Sequence, residues 1–255
     1  MTKSAYDQGR EGYPRLSPLG DSAVLVSLGS AIDEETHRRV TAAAAWLKAR
    51  PFPGLRECVP SYAAVAVHYD PLAVKLSRSG AELRHATVLE TVCSRVERLL
   101  EEAQTDAGSA PAHGRTVDIP VCYGGEHGPD LSFVAAHNGI SEDDVIAIHS
   151  GEAYLVYMLG FAPGFPYLGG MPERIAAPRR STPRTVIPEG SVGIAGGQTG
   201  VYPLATPGGW QLIGRTPVKL FQPDAPSPSL LGPGDRVRFI PITSEQYKRY
   251  REVER

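Results

Sequence analysis

Hydrophobic and polar residues follow different patterns in the two halves of the chain. In the first half, short β-rich runs alternate with longer runs whose apolar residues recur at helical spacing. The run AVLVSL at residues 23–28 predicts a strand, and an apolar stripe from Val40 to Leu47 predicts a helix that Pro51 ends. The remaining elements of this half are two predicted strands and a helix, at residues 55–60, 62–69 and 81–104. This order predicts a small α+β domain that resembles a ferredoxin-like unit.

The second half has short runs instead of long periodic segments. Its first elements are a predicted strand, two helices and a strand, at residues 115–122, 130–137, 141–151 and 154–159. From residue 160 to residue 242, apolar runs are separated by Gly or Pro every few residues, namely TVIP, SVGIA, GVYPLA, WQLIG, VKLF and RVRFI. Regular short strands with turn residues between them predict a closed barrel or a sandwich.

These patterns also predict the domain boundaries. Residues 105–114 are small, polar and contain Gly and Pro, which is typical of a linker. We therefore expect a tail at 1–13, a first domain at 14–104 and a second domain at 115–255. A capping signature from Thr243 to Gln246 predicts that the second domain ends in a charged helix.

The composition excludes several classes of protein. The 255 residues are 42% hydrophobic and 21% charged, with a net charge of −2. This balance gives no electrostatic reason to expect nucleic acid or an anionic membrane as a partner. No apolar run reaches the ~18–20 residues of a membrane helix, and the first residues lack the apolar core of a signal peptide. Because the three cysteines are widely spaced without a CxxC motif, we expect reduced thiols and a cytoplasmic protein.

Several common catalytic motifs are absent from the sequence. There is no P-loop, HExxH, GxSxG or EF-hand pattern. The histidines that could bind zinc are spaced too loosely, so no metal site is expected. Residues 193–197 (GIAGG) resemble a nucleotide-binding glycine cluster, but no predicted helix follows them. Tight turns between barrel strands are the favoured interpretation, and a phosphate cradle is the alternative.

Arginines in a proline-rich segment are the main candidates for polar chemistry. Arg179, Arg180 and Arg184 lie within PRRSTPRTVIP, where the prolines restrict the backbone. The planar arginine fork binds a carboxylate or phosphate through two hydrogen bonds, so the segment favours a small anionic or amide-bearing metabolite. Each residue also has a structural alternative: Arg179 and Arg180 could be solvated, and Arg184 and Arg215 could brace loops.

The segment GFAPGFPYLGG at residues 160–170 contains four glycines, two prolines, three aromatic rings and no charge. Pro163 and Pro166 stiffen it, which predicts a rigid turn at the rim of the barrel that forms an apolar wall of a site. On this interpretation, Gly164→Val would impair assembly or activity more than stability.

Long motifs in a fixed order resemble one known family. They are LGDSAVLVSLG, VPSYAAVAVHYDP, HSGEAYLVYMLGFAPGFPYLGGMP, PRRSTPRTVIPEGSVGIAGGQTGVYPLATPGGWQLIGRTP and LGPGDRVRFIPI. On these residues the chain resembles the carboxyltransferase-domain family, whose members are variously named as the B-type subunit of 5-oxoprolinase, allophanate hydrolase subunit 1 and sporulation kinase inhibitor.

The resemblance implies a fold and a set of partners. The fold is α+β, with an N-terminal ferredoxin-like α/β domain followed by a cyclophilin-like β-barrel domain. The implied activity is ATP-dependent opening of 5-oxo-L-proline to L-glutamate, with ATP bound by this chain or by a partner subunit. The implied partners are a larger homologous barrel subunit (of the 5-oxoprolinase C type or the allophanate hydrolase subunit 2 type) and a third, LamB/YcsF-type subunit.

For this activity the sequence offers a set of candidate residues. We expect His149 to transfer protons, because its unperturbed pKa lies near neutrality, and the arginines to hold a carboxylate or an oxyanion. The catalytic candidates are His149, Arg184 and Arg215. The substrate-binding candidates are Tyr154, Phe161, Pro163, Gly164, Phe165, Arg179, Gln198, Thr199, Tyr202 and Trp210.

Two other functions stay open at this point. The first is a carboxyltransferase or allophanate hydrolase-type subunit in urea metabolism, which would need a biotin carrier and an ATP site on other proteins. The second is a binding module that inhibits a histidine kinase through an exposed apolar patch on the barrel.

Overall fold

Residues 12–105 and 114–253 are described by a computed structural model of the chain. The chain divides into two units, Met1–Ala112 and His113–Arg255. Most of the predicted tail and of the predicted linker lies outside the described residues, so these boundaries stay predictions.

The first unit is a four-stranded antiparallel sheet with helices. Its elements are β1 (Arg15–Pro18), β2 (Ala23–Ser27), α1 (Glu34–Ala49), β3 (Leu55–Pro60), β4 (Ala64–Tyr69), α2 (Pro71–Leu76) and α3 (Val88–Thr105). The strand order is β1-β2-β4-β3. The path β2-α1-β3-β4-α3 is that of a ferredoxin-like unit, and β1 occupies the edge beside β2. The predicted α+β fold is therefore confirmed, although β1 and α2 were not predicted.

The predicted helix at residues 81–104 begins later than expected. Gly80–Arg84 is a separate 3₁₀ turn with a capping box between Ser79 and Glu82. The guanidinium of Arg95, which is buried, donates two hydrogen bonds of 2.8 Å to the Glu82 carboxylate, and these hydrogen bonds lower the pKa of Glu82 to about 2. This ion pair holds the turn beside α3, so the apolar periodicity continues across a break in the backbone helix.

The second unit is built around a closed barrel. Its elements are β5 (Thr116–Tyr123), α4 (Leu131–Asn138), α5 (Glu142–Ser150), β6 (Ala153–Leu159), β7 (Pro166–Gly169), β8 (Arg184–Ile187), β9 (Ser191–Ala195), β10 (Gln198–Val201), β11 (Thr206–Gly208), β12 (Gln211–Arg215), β13 (Arg236–Pro241) and α6 (Ser244–Val253). Seven strands close in the order β10-β7-β6-β13-β5-β12-β9, and β8 pairs with β11 in a separate sheet. A barrel, not a sandwich, is therefore the correct prediction.

One predicted strand of the second unit is wrong. The run VKLF at residues 218–221 forms only an isolated bridge between Phe221 and Ser229. Another strand, β7, lies within the segment that the sequence predicted to be a turn. Of the helices in residues 12–105 and 114–253, none combines the length and the apolar character needed to cross a bilayer.

The alternation of side chains along the strands creates two apolar clusters in the second unit. All seven barrel strands contribute to the interior core, which includes Val192, Ile194 and Ile213. Neighbouring residues point to the opposite side of the wall. There they form a second group, called here the outer aromatic cluster, which consists of Phe165, Ile187, Ala195, Tyr202, Trp210 and Leu212.

Candidate anion-binding site outside the barrel wall

The barrel wall separates the predicted site residues into two groups. His149, Tyr154 and Thr199 are buried in the interior. Phe165, Tyr202 and Trp210 belong to the outer aromatic cluster. The structure therefore does not bring the histidine and the aromatic wall together in one site.

His149 is held in the interior by two hydroxyl groups. Its Nδ1 lies 2.8 Å from the Tyr123 hydroxyl and its Nε2 lies 2.8 Å from the Thr199 hydroxyl. The single hydroxyl proton of Thr199 is donated to the carbonyl of Gly193, at 3.2 Å, so Nε2 must carry the ring proton and donate to Thr199. The ring also stacks on Phe239, with centroids 4.5 Å apart.

This environment keeps His149 neutral. Burial lowers its pKa from 6.5 to about 3, because the charged imidazolium would be desolvated. A ring with both nitrogens bonded to the protein and no exposed surface is suited to support the barrel. The geometry does not support the predicted role in proton transfer.

The buried histidine predicts acid sensitivity of the second unit. Between pH 6.5 and about 3 the unfolded chain binds a proton at His149 that the folded chain excludes, so stability is full above pH 6.5 and falls as the pH decreases. This group alone is expected to lower the free energy of unfolding by about 2 kcal/mol between pH 7 and pH 5. Urea unfolding of a Trp46→Phe variant, followed by the fluorescence of Trp210, measures it. His149→Gln should have a smaller pH dependence, and an equal one would contradict this account.

Two glycines allow aromatic side chains to pack closely against the outside of the wall. A Cβ at Gly200 would lie 3.1 Å from Phe165 Cζ and 3.2 Å from Trp210 Cζ3. A Cβ at Gly193, the residue paired with Gly200, would lie 3.2 Å from Trp210 Cβ. Trp210, a predicted substrate-binding residue, is therefore a buried packing ring, 7% exposed.

The segment at residues 160–165 is a double turn. Phe165 N–H donates to the Ala162 carbonyl at 3.0 Å, and Pro163 followed by Gly164 at φ 78° makes this a type II turn. Ala162 N–H also donates to the Gly160 carbonyl at 2.7 Å across Phe161, whose φ is 63°. This is the strained form of the γ-turn, and the left-handed conformation costs about 1–2 kcal/mol for a residue with a Cβ.

The expectation for Gly164→Val needs correction. A Cβ at Gly164 would lie 2.9 Å from Phe221 Cβ, and the positive φ strains any other residue. The substitution would therefore lower stability directly. It cannot distinguish a site wall from a packing element.

Two of the predicted arginines converge on an acid that the sequence did not single out. Arg180 Nη1 and Arg184 Nη2 donate to Asp130 Oδ1 at 3.1 Å and 2.8 Å. The other oxygen, Oδ2, accepts from the backbone N–H of Leu212 at 2.7 Å. We call Asp130, Arg180 and Arg184 the arginine–aspartate cluster. Asp130 was predicted only to start a helix, and it is the N-cap residue of α4, but its side chain makes no capping bond.

The backbone around the cluster is fixed by further hydrogen bonds. Arg180 N–H donates to the Gly209 carbonyl at 2.7 Å, and the Gln211 side chain donates to the Pro178 carbonyl at 2.9 Å. The arginine segment is thereby tied to the strand that begins beside the outer aromatic cluster. Both guanidinium groups are positioned before any ligand arrives.

The charges of the cluster favour an anion. Two guanidinium groups share one carboxylate, which leaves an excess of one positive charge in a partly buried place. Arg180 Nε and Arg184 Nη1 are buried without a hydrogen-bond partner among the described residues. A carboxylate or a water that reached these N–H groups would relieve the cost of leaving them unpaired.

Tyr202 borders the cluster with a neutral hydroxyl. Burial raises its pKa to about 12, and the charges of Arg179 and Arg184 partly oppose this shift. The side chain of Arg179 is exposed. The outer wall therefore places partly exposed arginines beside a buried phenol and buried aromatic rings, so the arginines are the groups that can meet a small anionic ligand.

The remaining candidates lie apart from this cluster. Arg215 Nε donates to the Glu189 carbonyl at 2.8 Å, so it braces a loop, as one interpretation of the sequence held. Pro163 is exposed, and Gln198 is half-buried at the start of β10. Gly196 and Gly197 form a two-residue turn between β9 and β10, without a helix behind them, so this glycine cluster does not have the form of a phosphate cradle.

Comparison with known proteins identifies the family. The family model named carboxyltransferase domain, subdomain C and D, matches residues 14–231. The B subunit of 5-oxoprolinase from Bacillus subtilis (strain 168) is 49% identical over 239 residues, which are 93% of this chain and 97% of the relative. Urea amidolyase of Lachancea kluyveri is 33% identical over 135 residues, 48% of this chain and 7% of that protein.

A solved structure agrees with both the sequence and the fold. The crystal structure of TTHA0988 is 38% identical, with a TM-score of 0.70, and the match covers 88% of this chain and 40% of that longer chain. The chain therefore belongs to the carboxyltransferase-domain family, subdomain C and D, together with the B subunit of 5-oxoprolinase.

Proposed function

We propose that this chain is the B-type subunit of a 5-oxoprolinase, which opens 5-oxo-L-proline to L-glutamate with hydrolysis of ATP and is active only with partner subunits. The observation that carries the proposal is the 49% identity to the Bacillus subtilis B subunit over nearly the full length of both proteins. The arginine–aspartate cluster adds a chemical reason, because 5-oxoproline carries a carboxylate.

In this proposal Arg184 and Arg180 bind the substrate carboxylate. Their excess positive charge matches one carboxylate, and the fork of each guanidinium fixes the direction of the bound group. Tyr202 is buried in the wall near Arg184 and packs behind this site. Asp130 holds the two arginines in place and does not itself contact the substrate.

The proposal assigns ATP to a partner subunit. ATP supplies the activation that an unstrained lactam needs before water attacks its carbonyl. Two observations support this assignment: the glycine cluster is a hairpin turn, and the arginine–aspartate cluster has an excess of only one positive charge. The chain's own contribution is to bind and orient the substrate.

The proposed partners are a larger homologous barrel subunit and a LamB/YcsF-type subunit. The match to TTHA0988 supports the first, because this chain corresponds to only 40% of a longer polypeptide that has room for a second module. The three free cysteines, Cys58, Cys93 and Cys122, fit a reducing compartment and support a cytoplasmic location.

Reconstitution tests this function. The two partner subunits are assayed for ATP-dependent formation of glutamate from 5-oxoproline, with and without this chain. We expect activity only when the chain is present. Glutamate formation at an equal rate without it would refute the proposal.

The match to urea amidolyase supports carboxyl transfer as a second candidate. That reaction would depend on biotin and bicarbonate and would use a urea-like acceptor. If avidin abolishes the activity of the reconstituted complex, carboxyl transfer is favoured. Activity that is insensitive to avidin and free of bicarbonate favours the 5-oxoprolinase.

A further inference from the structure

Phe161 combines an exposed side chain, a positive φ and a central position in a strained turn. Its side chain is 69% exposed, and it is the one non-glycine residue with positive φ in the part of the chain that the structure describes. It also lies at the centre of the strained γ-turn between Gly160 and Ala162. Strain of this kind persists only where the surrounding structure enforces it, and it concentrates at functional positions.

The surrounding structure does enforce the conformation. Gly160 N–H donates to the Phe165 carbonyl at 3.1 Å, which closes the double turn at its base. Phe165 is buried in the outer aromatic cluster, and Gly164 packs against Phe221. Phe161 makes an edge-to-face contact with Phe165 of this base, at 5.7 Å between ring centroids. The hydrogen-bonded turn thus fixes the backbone from which this exposed aromatic ring projects into solvent.

We propose that Phe161 is the anchor that inserts into an apolar pocket of the larger partner subunit. An aromatic side chain on a backbone that is already fixed needs less ordering on binding, and a few buried aromatic side chains often contribute most of the energy of a protein interface. A protein pocket suits this ring better than the substrate does. In the proposed function the substrate's charged group binds at Arg180 and Arg184, and the Phe161 ring offers only apolar surface.

This inference takes the identity of the partner from the proposed function. Its other ground, the strained and exposed ring, is independent of the reaction. The experiment therefore measures binding and needs no turnover.

Isothermal titration calorimetry with the purified larger subunit of the same species compares Phe161→Gly and Phe161→Asn with the unaltered chain. Both replacements tolerate positive φ and remove the ring. We expect the Kd to rise at least about 30-fold, which is about 2 kcal/mol. The melting temperature should stay the same or rise, because the strain is removed. Phe133→Ala is the matched control, since Phe133 is also an exposed aromatic residue of this unit but lies on α4.

Three outcomes would overturn the inference. A Kd within twofold of the unaltered chain for both Phe161 variants would show that the ring is not an anchor. An unchanged Kd with a raised KM for 5-oxoproline would make the ring a wall of the substrate site. An equal rise of the Kd in Phe133→Ala would indicate a non-specific effect. If the complex binds tightly, Phe161→Gly weakens that binding and the complex has no 5-oxoprolinase activity, only the proposed function is refuted.

Discussion

Replacing Asp130 with alanine is expected to lower the free energy of unfolding of the second unit by about 3 kcal/mol. The change leaves two partly buried guanidinium groups without their carboxylate and removes the acceptor of Leu212 N–H. Urea unfolding in the Trp46→Phe background measures it, because Trp210 is then the only tryptophan and packs beside Leu212 in the outer aromatic cluster.

The matched control is an exposed pair in the same unit. Asp118 accepts two hydrogen bonds from Arg238, and both side chains are about half exposed, at 50% and 54%. Asp118→Ala should cost at most about 1 kcal/mol, since solvent screens exposed ion pairs. Equal losses in the two variants would show that Asp130 is not a special organiser of this wall.

Arg184→Lys is expected to lower kcat/KM for 5-oxoproline by about 10–100-fold in the reconstituted complex, mainly through KM. Lysine keeps a charge near Asp130 but loses the planar fork, and a charge-assisted hydrogen bond contributes about 1.5–3 kcal/mol. The comparison substrate is 2-pyrrolidinone, the same lactam without a carboxylate. Its lower kcat/KM should be unaffected by the change, so the preference for 5-oxoproline should fall.

Arg215→Lys is the control for this prediction. Arg215 donates one hydrogen bond from Nε to the Glu189 carbonyl, which an ammonium group can replace. We expect less than about a threefold change in kcat/KM, because at most part of one hydrogen bond is lost. If Arg215→Lys is as harmful as Arg184→Lys, or if Arg184→Lys affects both substrates equally, Arg184 does not bind the carboxylate.

Local sequence patterns were sufficient to predict most strands, because each strand has its own alternation of apolar residues between turn residues. Val192 and Ile194 alternate with Gly193, and the sequence already predicts the strand from this run. The same alternation places Thr199 inside and Gly200 outside. Which side faces the core, however, depends on how the sheet closes, and this is why His149 and Trp210 could not be assigned to opposite sides of the wall in advance.

The arginine–aspartate cluster could be predicted only in part. The proline-rich segment marked the arginines, since it restricts their backbone. Asp130 lies 50 residues before Arg180 and 54 before Arg184. An aspartate at the start of a helix is common, so nothing in the sequence indicated a second role for Asp130. The break before α3 was missed for a related reason: the Arg95–Glu82 ion pair acts between a helix and the turn before it, while the apolar spacing stays continuous.

The way the barrel closes has a consequence for its synthesis. β13, the last strand, lies between β5 and β6 and pairs with β5 in parallel, from Arg236 opposite Thr116 to Pro241 opposite Val121. Until residue 241 leaves the ribosome, β5 and β6 each present an open edge that can pair with a neighbouring nascent chain. Closure of this unit must therefore wait until β13 has left the ribosome, and a pause in translation between β6 and β13 would extend the period in which the chain is prone to aggregation.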